Sequence, residues 1–406
     1  MAMFSKETAD ALVMLESNAR TLLEDNILRF WLDRMQDREQ GGFYGRIDGN
    51  DRLDPQADKG CVLNARILWA FSAAYRVLRH PQYLEAATRA KDYILEHFID
   101  REQGGAYWSL DYQGQPKDTK KQFYALGFMI YGLSEYVRAT GDQEALAEAV
   151  RLFECVEQHA YDHEYGGYIE ATTRDWQPIG DMRLSELDAN YPKSQNTHLH
   201  ILEPYTNLYR VWKDPRLKRA LSRLIDVFLD KILNPVTHHL DLFFENDWTR
   251  GAGQGESYGH DIEASWLLHE AALVLGDSSI IKKVEPAVVA IAHASEEGLL
   301  PNGAMIHERN SDTGYRDADL HWWVQAETVV GFLNIYQHFH DEAALDKALR
   351  CYQYITSQLV DRENGEWYWS RREDGCINRD DDKAGFWKCP YHNSRMCLEI
   401  LERKKR

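Results

Sequence analysis

Two kinds of helical pattern alternate along this chain. Segment 58–79 is apolar on nearly all sides, whereas 81–99 carries its apolar residues along one face at helical spacing. The same pairing of an apolar helix with an amphipathic one is predicted at 120–139 with 143–159, 194–213 with 215–233, 260–275 with 277–294, and 320–339 with 342–359. An amphipathic helix at 6–35 opens the chain and a helix at 391–403 closes it, so the pattern predicts twelve helices.

One short phrase recurs between the helix pairs. It reads EQGGFYGRID at 39–48, EQGGAYWSLD at 102–111, EYGGYIEATT at 164–173 and, in weaker form, ENGEWYWSRR at 363–372, with fainter versions at 238–247 and 302–310. An aspartate precedes each clear copy, at Asp37, Asp100, Asp162 and Asp361, and the first three are 63 and 62 residues apart. Gly-Gly permits positive φ and the flanking aromatic residues favour extended pairing, so each phrase predicts a short hairpin.

The period and the alternation together predict the architecture. A helix that is apolar all round is buried, and one with a single apolar stripe covers it. Six units of roughly 65 residues would therefore form six inner helices ringed by six outer ones, with the hairpins at one end. The prediction is an all-α fold, an (α/α)6 barrel, as one catalytic domain over 1–406. An open α-solenoid is the alternative that the same periodicity permits.

Composition narrows the class of protein and of partner. The chain is 44% hydrophobic and 12% aromatic, and its net charge of −18 argues against nucleic acid or an anionic membrane as a partner. The first twenty residues lack a basic segment followed by an apolar run, and no stretch of 18 apolar residues occurs. The six cysteines lack CxxC spacing and are typical of reduced thiols, so a cytoplasmic location is expected.

Polar residues recur near the start of each apolar helix, where burial makes them unusual. In a closed ring they would converge on one end of the central cavity. They are Arg66; Tyr124; Asn196 and His200; His260 and Glu263; Trp322, Trp323 and Glu327; and His392 and Arg395. The i,i+3 spacing places His260 and Glu263 on one helix face, so Glu263 is expected to orient His260. For any one of these residues alone, a satisfied core position is the alternative.

This residue set suits proton transfer rather than hydrolysis. Glycoside hydrolysis needs two carboxylates flanking the bond, whereas histidines dominate here. Two neutral imidazoles on opposite faces of a carbon beside a carbonyl would permit inversion, and Arg66 would stabilise the enediolate charge. No HExxH, zinc-spaced cysteines, P-loop or GxGxxG after a strand is present, so neither a metal nor another cofactor is expected.

Five motifs carry a resemblance to a known family. They are DKGCVLNARILW around Arg66, NTHLHILEPYTNLY around Asn196 and His200, SYGHDIEASWLL around His260 and Glu263, WWVQAE at 322–327, and WKCPYHNSRMC at 387–397. With them the chain resembles the N-acylglucosamine 2-epimerase superfamily over nearly its full length and, within it, the cellobiose 2-epimerases. The resemblance implies an (α/α)6 barrel and reversible epimerisation at C2 of the reducing-end glucose of β-1,4-linked disaccharides.

The resemblance also implies roles for individual residues. His260 and His392 would be the two acid/base groups, and His200 would assist ring opening or polarise the carbonyl. The catalytic residues predicted are His260, His392, His200, Arg66 and Glu263. The substrate-binding residues predicted are Asn196, Tyr124, Trp323, Trp387, Asp188 and Glu327. Which histidine serves which epimer stays open, as does the choice between Trp322 and Trp323.

Cellobiose would become glucosyl-mannose and lactose would become epilactose, without cofactor or metal. A monomer that binds a disaccharide or oligosaccharide, and neither nucleic acid nor membrane, is expected. The alternatives are an N-acyl-D-glucosamine 2-epimerase or monosaccharide aldose–ketose isomerase, an inverting glycoside hydrolase, and a sugar-binding protein without catalysis. A smaller pocket would indicate the first, and release of monosaccharide the second. A sugar-binding protein would keep the tryptophans but would need no histidine trio.

Overall fold

Helices dominate the structure, a computed structural model that describes residues 6–252, 254–310 and 313–403. In chain order the α-helices are α1 (Lys6–Thr21), α2 (Arg29–Arg34), α3 (Cys61–Leu78), α4 (Pro81–Tyr93), α5 (Phe123–Thr140), α6 (Gln143–His159), α7 (Gln195–Val211), α8 (Pro215–Val227), α9 (Tyr258–Leu275), α10 (Ser278–Ser295), α11 (Trp322–Phe339), α12 (Glu342–Tyr354) and α13 (His392–Arg403). None of the helices in these ranges is long and apolar enough to cross a membrane.

The odd-numbered helices from α3 to α13 form a closed inner ring. Each packs against the next, and α13 packs against α3. Outer helices α4, α6, α8, α10 and α12 each cover the inner helix that precedes them, while α1 covers α13. The inner helices are buried on all sides, as in α5, where every residue from Phe123 to Val137 is buried. The (α/α)6 barrel predicted from the alternation is confirmed, and the open solenoid is wrong.

The outer helices depart from the predicted spans in one respect. The helix predicted at 6–35 is interrupted, because a π-helical segment, Leu22–Leu28, separates α1 from α2. Three other outer helices end in a π-helical turn and α10 ends in a 3₁₀ turn: Ile94–Phe98, Phe228–Ile232, Ile355–Leu359 and Glu296–Gly298. Each of these turns leads directly into one of the repeated phrases.

All six phrases, including the two faint ones, form hairpins. Each is closed by an antiparallel bridge: Gln36 with Phe43, Ile99 with Ala106, Tyr161 with Tyr168, Leu233 with Leu240, Leu299 with Met305, and Val360 with Trp367. Every hairpin lies between the end of an outer helix and the start of the next inner helix. The hairpins therefore gather at the end of the barrel where the inner helices begin.

Short strands join neighbouring units at that end. They are β1 (Arg46–Ile47), β2 (Leu53–Asp54), β3 (Lys59–Gly60), β4 (Ser109–Leu110), β5 (Pro116–Asp118), β6 (Lys121–Gln122), β7 (Ala171–Thr172), β8 (Lys193–Ser194), β9 (Phe243–Phe244), β10 (Glu256–Ser257), β11 (Glu308–Asn310), β12 (Tyr315–Asp317), β13 (Leu320–His321) and β14 (Ser370–Arg371). The strand before an inner helix pairs antiparallel with the strand after the next hairpin, as in β3–β4 and β6–β7. A bridge between Ile47 and Ala384 joins the last unit to the first.

A buried lysine fastens each of the four clear hairpins. The preceding aspartate accepts backbone N–H bonds within the turn and pairs with a lysine ammonium, as Asp37 does with Lys59 at 2.8 Å. The other pairs are Lys121 with Asp100, Lys193 with Asp162, and Lys383 with Asp361. Sequence reasoning missed these pairs. The first three lysines stand two residues before an inner helix, and that regular spacing is the signal that could have revealed them.

Candidate active site

The predicted polar residues do converge on the hairpin end of the barrel, and all six inner helices contribute. At the centre lies the Arg395 guanidinium of α13, which is 1% exposed. Its Nη1 donates to Glu203 Oε2 at 2.5 Å, and its Nη2 donates to Glu263 Oε1 at 2.5 Å and Glu327 Oε1 at 2.7 Å. Tyr391 Oη donates to the same Glu203 oxygen at 2.5 Å. One cation thus organises carboxylates from three different helices.

The pKa values of these three carboxyl groups are shifted in different directions. Burial alone would raise the pKa of Glu327, but Arg395 and His392 lower it to about 2. The pKa of Glu203 is likewise lowered against the effect of burial, by Arg395 and His200. Burial and the neighbouring Glu327 raise the pKa of Glu263 well above its usual value. The Arg395 network therefore favours the ionised form of Glu203 and Glu327, whereas burial and the neighbouring Glu327 favour the neutral form of Glu263.

His392 is oriented by one of the ionised carboxylates. Its Nδ1 lies 2.7 Å from Glu327 Oε1 and 3.9 Å from Glu263 Oε1. Burial lowers the pKa of His392 to about 3, although Glu327 acts in the opposite direction. Both Glu327 oxygens are engaged within the protein, because Trp266 Nε1 donates to Oε2 at 2.9 Å. Glu327 thus lies against His392 and Trp266, and its contact with the substrate stays a prediction.

His260 has a different orienting partner from the one predicted. Its Nδ1 lies 2.8 Å from Ser257 Oγ, and no hydrogen bond joins it to Glu263, whose Oε1 accepts from Arg395. The expectation that Glu263 orients His260 is therefore wrong: Ser257 binds the ring at Nδ1 and Arg395 of α13 binds Glu263 Oε1, although a carboxylate oxygen stays within 4.8 Å of a ring nitrogen. Burial lowers the pKa of His260 well below its ordinary value, and the nearby imidazoles of His200 and His307 add to that effect.

The third predicted histidine lies beside Tyr124 and Arg66. His200 Nδ1 lies 2.7 Å from Glu203 Oε1, and its ring centroid lies 4.9 Å from that of Tyr124. Arg66 Nη2 donates to Tyr124 Oη at 2.9 Å, and the guanidinium lies 4.1 Å from the Phe128 ring centroid. A Cβ on Gly127 would lie 2.2 Å from the His200 carbonyl oxygen, so glycine allows α5 and α7 to approach closely here.

The two adjacent tryptophans have different surroundings: Trp323 lies beside the histidines, and Trp322 lies in the core. Trp323 is half-buried, and its ring centroid lies 4.9 Å from that of His260 and 5.6 Å from that of His392. Trp322 is buried and packs on Trp369 at 4.6 Å. Of the two residues left open by the sequence, Trp323 therefore contacts the histidines. Trp387 is also half-buried, and its carbonyl oxygen accepts a hydrogen bond from Arg66 Nη1 at 3.4 Å.

A cleft of about 600 Å³ opens beside these residues. Asn196, His260 and Asp188 line it, the last from a loop in which Asp188 Oδ2 accepts from Ser185 N and Oγ at 2.9 Å. Of the three predicted catalytic histidines, His260 lines the cleft, and His200 and His392 are buried, as is Arg66. The volume lies within the range of pockets that enclose small organic ligands.

Several buried polar atoms of the site have no hydrogen-bond partner within the described protein. They include Arg66 Nε, Asn196 Oδ1, Glu263 Oε2 and Arg395 Nε. A buried donor or acceptor left unpaired costs about 1–3 kcal/mol. A ligand rich in hydroxyl groups can satisfy donors and acceptors of both kinds, as these atoms require.

Sequence reasoning missed several residues of this arrangement. Glu203, Tyr391 and Ser257 were not predicted, and Arg395 was an anchor without a role. The i,i+3 spacing of His200 and Glu203 on α7 was the available signal for Glu203. A second cluster at the cleft was also missed: His307 Nδ1 lies 2.8 Å from Asp317 Oδ2, and His321 Nε2 lies 3.5 Å from that oxygen.

Among the residues that the structure describes, three groups bring one possible metal-ligating atom of each member within 4.8 Å of the others: His200, His260 and Glu263; Glu263, Glu327 and His392; and His307, Asp317 and His321. In the first two groups the carboxylates already bind the Arg395 guanidinium, which would repel a metal ion. In the third, Asp317 faces both imidazoles. That the site works without a metal stays a prediction.

Comparison with known proteins agrees with this geometry. A family model described as N-acylglucosamine 2-epimerase matches residues 42–395. The chain belongs to the N-acylglucosamine 2-epimerase family. It is 60% identical over 388 residues to a cellobiose 2-epimerase of Bacteroides fragilis, covering 96% of this chain and 99% of that protein. It is 41% identical over 391 residues to one of Ruminococcus albus, covering 96% of this chain and 99% of that protein.

A solved structure gives the same result. The cellobiose 2-epimerase of Bacillus thermoamylovorans superposes with a TM-score of 0.92 at 41% identity, covering 96% of this chain and 99% of that chain. This N-acylglucosamine 2-epimerase family member is therefore an epimerase, and the resemblance drawn from the five motifs is confirmed. The catalytic and binding roles of its individual residues stay predictions.

Proposed function

We propose that this enzyme epimerises C2 of the reducing-end glucose of β-1,4-linked disaccharides, converting cellobiose to glucosyl-mannose and lactose to epilactose. One observation carries the mechanism: the rings of His260 and His392 both contact Trp323, and each has its own orienting partner. Two imidazoles placed on either side of one carbon can remove a proton from one face and return one to the other. The names of the relatives support cellobiose as substrate.

The reaction would begin with opening of the sugar ring, because only the open-chain aldehyde makes the C2 hydrogen acidic. His200, beside Tyr124 and Glu203, would move the proton between the ring oxygen and the C1 hydroxyl. One catalytic histidine then takes the C2 proton, and the electron pair of the C–H bond passes into an enediolate. Arg66 stabilises that negative charge, and the other histidine delivers a proton to the opposite face.

The remaining predicted residues would bind the two sugars. Trp323 and Trp387 present half-buried rings to stack on sugar faces, while Asn196, whose Oδ1 is unpaired, would accept from a hydroxyl. Tyr124 would contact the reacting end, and Asp188 on the cleft wall would contact the second sugar. A cleft of about 600 Å³ has room for that second ring, which favours a disaccharide over a monosaccharide substrate.

Two alternatives make different predictions for the same incubation. An N-acyl-D-glucosamine 2-epimerase or an aldose–ketose isomerase would turn over monosaccharides best. A glycoside hydrolase would need two carboxylates free to flank a bond. Glu203, Glu263 and Glu327 all bind Arg395, so this trio offers no such pair.

The experiment is to incubate cellobiose, lactose and N-acetylglucosamine separately in deuterium oxide and to separate the products. We expect glucosyl-mannose and epilactose, each carrying deuterium at C2 and at no other sugar carbon. Preferred turnover of N-acetylglucosamine would move the enzyme to the first alternative, and released monosaccharide to the second. Product that retains its original C2 hydrogen would overturn the two-histidine mechanism.

The expected independence of metal needs its own test. Enzyme dialysed against EDTA should keep its full rate, because Arg395 occupies the position where a cation would neutralise the carboxylates. Loss of the rate on dialysis, with recovery on adding a divalent ion, would contradict a cofactor-free mechanism.

We also propose that the chain works as one catalytic domain and as a monomer in the cytoplasm, with a sugar and neither nucleic acid nor membrane as its partner. Residues from all six inner helices build the site, which supports one domain. The six cysteines are free thiols, in keeping with a reducing compartment. Light scattering on the purified enzyme tests the monomer, and a mass twice that of the chain would overturn it.

A further inference from the structure

The fourth clear hairpin carries a glutamate where the other three carry glycine. Glu366 has a φ of +62°, and the corresponding Gly42, Gly105 and Gly167 have values of +63°, +71° and +80°. The backbone conformation is therefore the same in all four turns. A residue with a Cβ is disfavoured in this left-handed region, so the turn itself gains nothing from the substitution.

What the glutamate adds is a buried carboxylate with four donors. Glu366 is 0% exposed. Its Oε2 accepts from Trp31 Nε1 at 2.6 Å, and its Oε1 accepts from Lys388 Nζ at 3.0 Å, Asn393 Nδ2 at 2.6 Å and the backbone of Trp367 at 2.8 Å. Charge-assisted hydrogen bonds of this kind hold their partners in fixed geometry.

Two of the donors lie in the segment that carries two proposed site residues. Lys388 directly follows Trp387, and Asn393 directly follows His392. In the same segment, Arg66 donates to the Trp387 carbonyl and Glu327 binds His392 Nδ1. The segment 387–393 is thus held both by Glu366 and by residues of the candidate site.

This contact is additional to the one that fastens the hairpin. In the other three clear hairpins the buried lysine pairs with the aspartate of the phrase, and in the fourth Lys383 already pairs with Asp361. The Lys388–Glu366 pair, with both side chains 0% exposed, is therefore a second buried ion pair in the same unit. It lies where the chain returns to its first outer helix, through Trp31 of α2.

We propose that Glu366 is a positioning residue for catalysis: by binding Lys388 and Asn393 it fixes the segment 387–393, so that His392 and Trp387 face the substrate. The inference rests on the proposed role of His392. A displacement of about 1 Å in a reacting group lowers turnover by about a hundredfold. A structural role alone would leave the chemistry of each histidine intact in the folded enzyme.

The main variant is the double substitution Glu366→Gly with Lys388→Met. It gives the turn the residue of the other three hairpins and removes both buried charges together, so no charge is left unpaired. We expect cooperative unfolding to persist while kcat on cellobiose falls about tenfold or more. A kcat within about twofold of wild type would overturn the proposal.

A matched control is Asp37→Asn with Lys59→Met. It removes an equally buried ion pair, with exposures of 0% and 1%, at the first hairpin. The control should lose stability and keep kcat. An equal loss of kcat in the control would show that any broken hairpin damages the site, and would overturn the special role of Glu366.

Exchange in deuterium oxide separates positioning from general damage, also where the double variant folds poorly. Glu366→Gln keeps the side-chain volume, and exchange of the C2 hydrogen is followed for glucosyl-glucose and glucosyl-mannose separately. We expect slower exchange only from the epimer that His392→Ala no longer exchanges. Equal slowing for both epimers would overturn the proposal. Full activity of His392→Ala would instead overturn the proposed function itself.

Discussion

The two histidines that contact Trp323 differ in the group that lies at their Nδ1 atom. At His260 this group is a neutral hydroxyl, Ser257 Oγ, at 2.8 Å, and at His392 it is the carboxylate of Glu327, at 2.7 Å. A carboxylate stabilises the imidazolium form of its partner, whereas a hydroxyl orients the ring with little effect on its charge. The difference teaches that the two proposed acid/base groups are not equivalent: burial lowers the pKa of both, but an imidazolium formed at His392 meets a carboxylate, whereas one formed at His260 meets only a hydroxyl.

Removal of either histidine should have the largest effect. We expect His260→Ala and His392→Ala each to lower kcat about 10²- to 10⁴-fold, the usual contribution of a general acid or base. Each variant should still exchange the C2 hydrogen of one epimer with deuterium oxide, through the histidine that remains. Exchange from the same epimer in both variants would break the comparison, because the two imidazoles would then serve one face.

Replacement of Glu327, the charged partner of His392, should have the second-largest effect on kcat. Glu327→Gln keeps the side-chain shape but removes the charge at His392 Nδ1. Hydrogen bonds to charged groups contribute about 1.5–3 kcal/mol, so kcat should fall about 10- to 150-fold. Steady-state rates on cellobiose measure this, with thermal unfolding as a check that the Arg395 network still forms. A loss no larger than that for the neutral partner would show that the charge is irrelevant to His392.

Replacement of the neutral partner should cost less. Ser257→Ala removes the hydroxyl at His260 Nδ1, and a neutral hydrogen bond contributes about 0.5–1.5 kcal/mol, so kcat should fall about 2- to 10-fold. Ser265→Ala is a matched control on α9, the helix that carries His260, and it removes a hydroxyl that donates to the Ile262 carbonyl at 2.7 Å. A hundredfold loss for Ser257→Ala would mean that orientation, and not charge, dominates at both histidines.

The smallest effect that we expect is on the pH dependence of the free energy of unfolding. The pKa of His392 falls from 6.5 to about 3 on folding, so between these values the unfolded chain binds a proton that the folded chain does not. Stability must then fall as the pH drops below about 6.5, by up to about 1.4 kcal/mol per pH unit for this histidine. Urea unfolding at pH 7, 6 and 5 should give a shallower loss for His392→Asn. An unchanged slope would mean that Glu327 keeps His392 charged in the free enzyme.

The fold could be predicted from the sequence because its signals are local and repeated. Apolar and amphipathic helices differ within twenty residues, and the Gly-Gly phrase marks the period even where it is faint, as at 238–247. The break in the first outer helix could not be predicted. Segment 22–28 keeps its amphipathic spacing, and a π-helical turn follows from packing against α13 and not from residue type.

The convergence of the candidate site residues was predictable, but their pairings were not. Residues at matched positions of successive repeats must converge in a closed ring, and Arg66, His200 and His260 do so. Which polar atoms then meet depends on the rotation of each inner helix about its axis. Arg395 meets Glu203, 192 residues away, and no spacing rule within one helix encodes such a contact.

The same dependence on helix rotation explains why Glu263 was expected to pair with His260. Helical spacing placed Glu263 and His260 on one face and therefore suggested a pair, but a carboxylate binds the strongest donor within reach. Here that donor is the Arg395 guanidinium from across the ring. Trp322 and Trp323 could not be separated for a related reason, since adjacent residues on a helix differ by about 100° in direction and only the packing decides which faces inward.

The closure of the ring by α13 has a consequence for how the protein is made. The five preceding inner helices can pack in the order of synthesis, but α13 must dock beside α3, which was synthesised more than 300 residues earlier. Until it does, Glu203, Glu263 and Glu327 face one another without the guanidinium that neutralises them. A growing or prematurely terminated chain therefore carries three glutamates without their shared cation, and it gains Arg395 and His392 in a single docking event.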